Sequence, residues 1–249
     1  MMKKEMGVIL ENKRIAKDTY QMTVRTTLAE EARMGQFVEM GVEGCFLKRP
    51  FSIARILDEA YLIFQYKVVG EGTRKMSEMK KNSEVDLFGP LGSGFPEVDS
   101  DVLLIGGGIG CAPLWETAAY YKRSGYDVTA VLGFGSEDEV YLEKELNDLG
   151  VDVIAATMDG SYGTKGTVLD AVEENDIDTE NKIVMACGPT PMLKAVEEKF
   201  DNGYLSLEAR MGCGLGACMG CVVKQTEEGL PALRICKDGP VFEIGKVVF

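Results

Sequence analysis

The chain has 249 residues, 45% of them hydrophobic and 27% charged, with a formal net charge of −13. That length allows two or three small domains, and the acidic balance excludes nonspecific binding to nucleic acid, which needs the opposite sign. Histidine is absent, which removes His-based acid–base chemistry, Ser-His-Asp triads, zincin motifs and Rieske clusters together.

The opening MMKKEMGVILENKR is basic, but its apolar run is too short for a signal peptide. The longest apolar run, VLLIGGGIG, is broken by glycines and cannot span a bilayer. The expectation is a cytoplasmic protein with no membrane partner. Seven cysteines, four of them clustered, do not make a secreted disulfide scaffold.

Residues 1–98 read as β-rich. GVILENKR, TYQMTVRT, QFVEMGV, FSIARI, YLIFQYKVV and EVDLFGPLG are short runs rich in Val, Ile, Phe and Tyr, separated by turn residues. The pattern predicts a small antiparallel β-barrel. Only the stretch from Thr73 to Lys81 reads as a helix. Within this segment, KRPFSI offers Arg49 for a paired contact with phosphate and Ser52 as a hydrogen-bonding group. VGEGT, Val69 to Thr73, offers backbone N–H groups that could bind a diphosphate. A solvated Arg beside a turn proline, and a plain turn before a helix, are the simpler alternatives.

Residues 99–203 change character. DVLLIGG, DVTAVLGF, VDVIAAT and KIVMACG are nearly continuous apolar strands. They alternate with helices predicted at Ala112 to Ser124, VYLEKELNDLG, TVLDAVEE and PMLKAVEEKF. This predicts an α/β domain with a parallel sheet covered on both faces. GGGIGCAP follows the first strand and opens a helix, as a pyrophosphate loop does. ACGPTPM ends a second strand in the same way. Ligands of such sheets bind beyond the strand C-termini, so the two loops could flank a dinucleotide. A tight strand–helix turn is the alternative. The loop GSEDEV carries Glu137, Asp138 and Glu139 where a 2′-phosphate would want Arg or Lys, which favours NAD over NADP.

Residues 204–249 form a tail too short for a good core of its own. YLSLEA reads as a strand, CVVKQ and ALRIC as a hairpin, and VFEIGKVV as a final strand. Between them lie Cys213, Cys218, Cys221 and Cys236, spaced C-x4-C-x2-C-x14-C. The first three positions match plant-type [2Fe-2S] ferredoxins. Gly212, Gly214, Gly216 and Gly220 let the loop wrap tightly and bring N–H groups toward sulfur. A four-thiolate zinc site is the alternative, although zinc knuckles usually show two separated cysteine pairs. A bound cluster would supply the cross-links the tail lacks.

Taken together, RPFS, YKVVGEGT, GPLG, GGGIGCAP, ACGP, the cysteine run and the closing CKDGPVF resemble the ferredoxin–NADP reductase superfamily. Within it they resemble the electron-transfer subunits of class 1B dihydroorotate dehydrogenases. The resemblance covers essentially the whole chain. It implies that residues 1–98 bind FAD, residues 99–203 bind NAD and residues 204–249 carry the [2Fe-2S] cluster. Carried over, Arg49, Pro50, Phe51 and Ser52 would contact the flavin and its phosphates. Gln65, Tyr66 and Lys67 would line the ribityl and isoalloxazine side, and Gly72 and Thr73 would hold the diphosphate. Gly107, Gly108, Ile109, Gly110 and Cys111, with Cys187, Gly188 and Pro189, would receive the nicotinamide nucleotide. Cys213, Cys218, Cys221 and Cys236 would ligate the cluster.

The resemblance also implies a partner, an FMN-containing catalytic subunit that oxidises dihydroorotate in pyrimidine synthesis, in a heterotetramer of two plus two. The chain would pass its electrons through the cluster and FAD to NAD+. No protein acid or base is then required, because the protein need only align the flavin with the nicotinamide. The competing readings are a related flavin and iron–sulfur reductase of ferredoxin:NADP or polysulfide type, and a zinc-stapled protein without redox activity.

Overall fold

The computed structural model describes residues 2–248. The first six strands are β1 (Lys3–Ala16), β2 (Thr19–Arg25), β3 (Phe37–Gly41), β4 (Arg49–Leu57), β5 (Tyr61–Lys67) and β6 (Glu84–Leu91). They close into an antiparallel barrel in the order β1-β2-β5-β4-β3-β6. The period-two pattern sorts their side chains. On β3, Val38 and Met40 enter the barrel core with Met22 and Phe64, whereas Phe37 packs outward into a core shared with the C-terminal tail. Helix α1 (Glu71–Ser77) sets the buried Met76 against the barrel interior. It begins two residues before the expected helix and stops earlier. The chain turns instead at Asn82, whose φ is 68° and whose N–H bonds Ile9 O at 2.7 Å.

Next come β7 (Asp101–Gly107), α2 (Leu114–Arg123), β8 (Val128–Phe134), α3 (Glu143–Asn147), β9 (Asp152–Thr157), β10 (Thr164–Lys165), α4 (Val168–Glu174), β11 (Lys182–Cys187) and α5 (Thr190–Lys199). Residues Val102 to Ile105 of β7 are fully buried, as a central parallel strand requires. Leu114, Ala118 and Tyr121 of α2 and Leu146 of α3 cover one face. Val168, Ala171 and Val172 of α4 with Leu193 and Val196 of α5 cover the other. Helix α3 is shorter than its apolar pattern suggests. It cannot start before Leu142, which holds a left-handed φ of 73°.

The tail is woven into this sheet. β12 (Gly203–Ser206) pairs in parallel with β11, and β15 (Val241–Glu243) pairs antiparallel with β12. The complete order is β10-β9-β8-β7-β11-β12-β15. The expected final strand VFEIGKVV is therefore two strands, β15 and β16 (Val247–Val248), bent at Gly245 with φ 78°. A second small sheet, β14-β13-β16, contains β13 (Val222–Gln225) and β14 (Leu233–Arg234). The expected boundary at residue 204 thus cuts through β12, because β12 and β15 complete an edge of the large sheet. One apolar core joins Phe37 and Leu91 of the barrel, Leu103 and Ile105 of the sheet, and Cys221, Ile235 and Cys236 of the tail.

Barrel and sheet are also latched by Glu116 of α2, only 3% exposed. Its carboxylate accepts Ile56 N–H at 2.9 Å, the Arg55 guanidinium, and Arg123 Nη2 at 2.9 Å. Among the described residues no helix is long and apolar enough to cross a membrane.

Candidate functional site

A cleft of about 390 Å³ opens between the barrel and the sheet. Arg49, Pro50, Phe51, Ser52, Gln65, Tyr66, Lys67 and Thr73 line it from the barrel, and Ile109, Ala112 and Ser206 to Ala209 from the sheet side. Gly72 lies directly under Arg49. A Cβ at Gly72 would stand 2.1 Å from Arg49 Nε, so the guanidinium occupies the space a side chain there would need. That places a fixed charged fork beside the first turn of α1, suited to phosphate oxygens.

Gln65 donates through Nε2 to Gln21 Oε1 at 3.1 Å. Its own Oε1 is buried and has no hydrogen-bond partner among the described residues. Such an orphaned acceptor on a cleft wall fits a ligand that brings N–H or O–H donors, as a flavin does. Two expected contacts differ in detail. Tyr66 turns its ring into the barrel, 5.9 Å from Tyr20 and stacked on it, with its hydroxyl on Asn12 Oδ1 at 2.9 Å. The Thr73 hydroxyl accepts N–H from Val69 at 3.0 Å and Gly70 at 3.2 Å. Both polar groups already have protein partners: Thr73 holds the backbone of the turn before α1, and Tyr66 is tied to the Asn12 side chain.

A second cleft, about 690 Å³, lies beyond the C-terminal ends of β7, β8 and β11. Gly107, Gly108, Ile109, Gly110, Gly188 and Pro189 line it, facing Gly133 to Gly135 and Gly166 to Leu169. The two expected nucleotide loops touch. A Cβ at Gly110 would stand 2.5 Å from Cys187 O and 2.6 Å from Gly188 Cα. Cys111 and Cys187 are buried and do not line the cleft. Their position under the loops comes from packing: Cys111 Sγ sits where a side chain on Gly106 would go, 2.7 Å from that Cβ. Burial pushes both thiols above the ordinary cysteine value.

The acidic loop after β8 makes contacts with the barrel. Glu139 Oε1 receives Lys67 Nζ at 3.0 Å, and that bond lowers its pKa. Asp138 accepts the Ser136 hydroxyl at 2.6 Å and pairs with Lys17 Nζ at 3.0 Å. Its carbonyl accepts Lys17 N–H at 2.8 Å. Two of the three acids therefore dock the sheet onto the barrel, and Glu137 stands outside those pairs.

The two clefts meet at Lys67, Ile109 and Glu208, which line both. Glu208 was not singled out in the sequence. It follows the buried run Leu205, Ser206 and Leu207, and an acid placed immediately after a buried strand is the signal that could have found it. The protein around it raises its pKa through desolvation, although its side chain reaches solvent.

The cysteine loop begins at the flavin-side cleft. Met211 lines that cleft, and Cys213 is two residues further on. Two residues span at most about 7 Å. Cys213 Sγ accepts N–H from Leu215 and Cys218, each at 3.4 Å. Those bonds, led by that of Cys218, lower its pKa to about 7. Gly216 N–H reaches Cys236 Sγ at 3.1 Å, and Cys236 N–H reaches Cys221 Sγ at 3.4 Å. Burial first, then the Cys221 thiol, pushes Cys236 up to about 12. Gly214 and Gly216 supply the left-handed turns, with φ of 65° and 76°. Hydrogen bonds thus link Cys213 to Cys218 and Cys221 to Cys236.

Among the described residues no three His, Cys, Asp or Glu groups are closed into a ready-made metal site. The donor set nonetheless fits an iron–sulfur cluster. It is four thiols with amide N–H groups already turned toward three of the sulfurs. The loop seats on the barrel, since a Cβ at Gly214 would lie 2.9 Å from Glu39 Cγ and 3.0 Å from Leu91 Cδ1. Its outer rim exposes Cys218, Leu215 and Met219.

Comparison with known proteins agrees with this arrangement. Residues 208–248 match the iron–sulfur cluster binding domain of dihydroorotate dehydrogenase B, and residues 104–198 match the oxidoreductase NAD-binding domain. The chain is 42% identical over 261 residues to the dihydroorotate dehydrogenase B (NAD(+)) electron transfer subunit of Geobacillus sp. strain WCH70, covering 100% of both chains. It is 42% identical over 255 residues to the subunit of the same name from Fusobacterium nucleatum, covering 97% of each. Among solved structures, the NADH-dependent reduced ferredoxin-NADP oxidoreductase superposes with a TM-score of 0.87 at 30% identity, over 97% of this chain and 89% of that one. A cytochrome P450 reductase from Amycolatopsis shares the fold, with a TM-score of 0.69 at 24% identity over 80% of this chain and 66% of that one.

Proposed function

Because the chain belongs to the family of dihydroorotate dehydrogenase B electron-transfer subunits, we propose that it takes electrons from a catalytic partner that oxidises dihydroorotate and delivers them to NAD+. It is an oxidoreductase subunit that uses FAD, a [2Fe-2S] cluster and NAD, and serves pyrimidine biosynthesis. Dihydroorotate oxidation itself occurs in the partner. When bound, FAD exchanges a hydride with nicotinamide and single electrons with the cluster.

The observation that carries this reading is the continuity of the three sites. The wall of the flavin cleft runs through Met211 into the cysteine loop, while Lys67, Ile109 and Glu208 are shared with the nucleotide cleft. The protein's task is placement. Arg49 over Gly72 grips the FAD diphosphate, and Pro50, Phe51 and Ser52 present β4 to the flavin, with Thr73 bracing the turn beside it. Gln65 offers its free acceptor, and Tyr66 and Lys67 complete that side. Gly107 to Gly110, braced by Cys111 and Cys187, hold the NAD diphosphate, with Gly188 and Pro189 closing the opposite edge. Cys213, Cys218, Cys221 and Cys236 hold the iron. Residues 1–98, 99–203 and 204–249 serve FAD, NAD and cluster respectively, the last two sharing one sheet.

The partner carries FMN and joins two copies of this chain to two of its own. It docks on the rim of the cysteine loop, where Leu215, Met219 and Cys218 are exposed. The test is reconstitution. The anaerobically prepared pair should reduce NAD+ when given dihydroorotate, and neither subunit alone should do so. Absence of NADH formation by a fully loaded pair would refute the reading. The likeness to a ferredoxin-NADP oxidoreductase supports one alternative, delivery of electrons to a ferredoxin. It predicts NADH-dependent ferredoxin reduction without the dihydroorotate-oxidising partner.

A further inference from the structure

Tyr141 stands behind the nucleotide loop. It lines neither cleft and is 7% exposed. Its hydroxyl lies 3.0 Å from Gly108 O and 3.4 Å from Ile109 O. A phenol has one proton, so Gly108 O is its main acceptor, while Ile109 O also accepts Ala112 N–H at 3.1 Å on the same side. The surrounding chain is shaped to deliver it. The ring packs edge-on against Phe134, with centroids 5.5 Å apart and an interplanar angle of 63°. Leu142, the next residue, has φ 73°. A bulky residue keeps that left-handed conformation only where its surroundings hold it.

The consequence lies in peptide geometry. A trans peptide sets its C=O and N–H on opposite sides. With the carbonyls of Gly108 and Ile109 held toward Tyr141, the N–H groups of Ile109 and Gly110 face the cleft that both residues line. Successive N–H groups turned to one side form an anion-binding concavity. We infer that Tyr141 is a positioning residue for nucleotide binding: its phenol holds these carbonyls back and presents the loop's N–H groups to the diphosphate of NAD(H). The inference rests on reading Gly107 to Gly110 as the NAD loop. Burial also pushes the phenol well above the ordinary tyrosine value, so it remains a donor at any working pH.

The test is Tyr141→Phe in the FAD- and cluster-loaded protein. The substitution keeps the ring and its contact with Phe134 and removes the donor. NADH affinity is read from anaerobic stopped-flow bleaching of the flavin, and ADP-ribose affinity from competition. Removing one hydrogen bond should raise both dissociation constants roughly fivefold. The limiting rate of flavin reduction should stay within twofold, because the nicotinamide is still aligned once bound. Amide exchange of residues 104–113 should quicken in the variant without nucleotide, and other segments should not change. Unchanged affinities for NADH and ADP-ribose would overturn the role of Tyr141. Isolating the FAD-loaded fraction first makes any loss of fold appear as lower yield and not as weaker binding. In the wild type, ADP-ribose should protect residues 104–113 from exchange. If it does not, the NAD-loop reading itself fails. If it does, and the variant behaves as wild type, only Tyr141 is refuted.

Discussion

Lys67 of the barrel and Glu139 of the sheet domain meet at 3.0 Å, and Lys67 also lines both ligand clefts. The pair ties the barrel wall of the smaller cleft to the acidic loop after β8. It is one of several contacts, with Lys17–Asp138 and Arg55–Glu116, that dock the sheet onto the barrel. Glu139→Gln should cost less than about 1 kcal/mol, because the pair is partly exposed and screened. Urea denaturation at low and high salt checks this, and the difference from wild type should shrink as salt rises. FAD content should not change.

The contact between Arg49 and Gly72 predicts a flavin phenotype. A methyl group at Gly72 would displace the guanidinium, since the new Cβ stands 2.1 Å from Nε. Gly72→Ala should weaken FAD binding by about tenfold or more, the scale of a lost charge-assisted hydrogen bond of about 1.5–3 kcal/mol. Fluorescence of FAD released on dilution measures it. Retention equal to wild type would remove Arg49 from the phosphate site.

Gly110 predicts a phenotype confined to the nucleotide. Its missing Cβ faces backbone on Cys187 and Gly188, which has no cheap way to move. Gly110 does not line the flavin cleft. Gly110→Ala should therefore lower NADH-dependent flavin reduction at least tenfold, with FAD and iron still present. Dithionite should still reduce the variant fully.

Asp238 ties cluster retention to pH. Its carboxylate accepts Arg234 N–H and Nε, both at 2.8 Å, two residues beyond Cys236. The bond to the Arg234 side chain leads the causes that hold its pKa below the ordinary value. A depressed folded pKa gives stability that is present above the unfolded value, about 3.9, and is lost as pH falls through the lower folded one. The tie is thus complete at pH 7 and fails only below about pH 4. Asp238→Asn removes its charge at every pH and leaves one amide oxygen to accept from Arg234. Iron release to a chelator at pH 7 should become several-fold faster, and an unchanged rate would show that the turn holds without it.

Much of this was legible because periodicity and spacing report burial and ligation directly. The buried run Val102 to Ile105 reads as a parallel strand. The four cysteines announce their chemistry by type and spacing. Other features depend on distant partners. VFEIGKVV divides between two sheets because β12 needs an edge neighbour, which no local pattern encodes. Asp138 and Glu139 look like ribose-facing acids until Lys17 and Lys67 arrive from the barrel. Tyr66 and Cys111 sit inside the expected motifs, yet their side chains point into the cores behind them. Glu208 and Tyr141 belong to no motif, and only the closing of the domains reveals them.

The central claim is that one conductive path joins the nucleotide cleft, the flavin and the four-cysteine loop. Anaerobic titration of the isolated, fully loaded protein with NADH, followed by electron paramagnetic resonance at low temperature, tests it most directly. The account predicts bleaching of the flavin together with the signal of a reduced [2Fe-2S] cluster, and loss of that signal in Cys218→Ser. A bleached flavin with no cluster signal, in protein whose cluster dithionite does reduce, would contradict it.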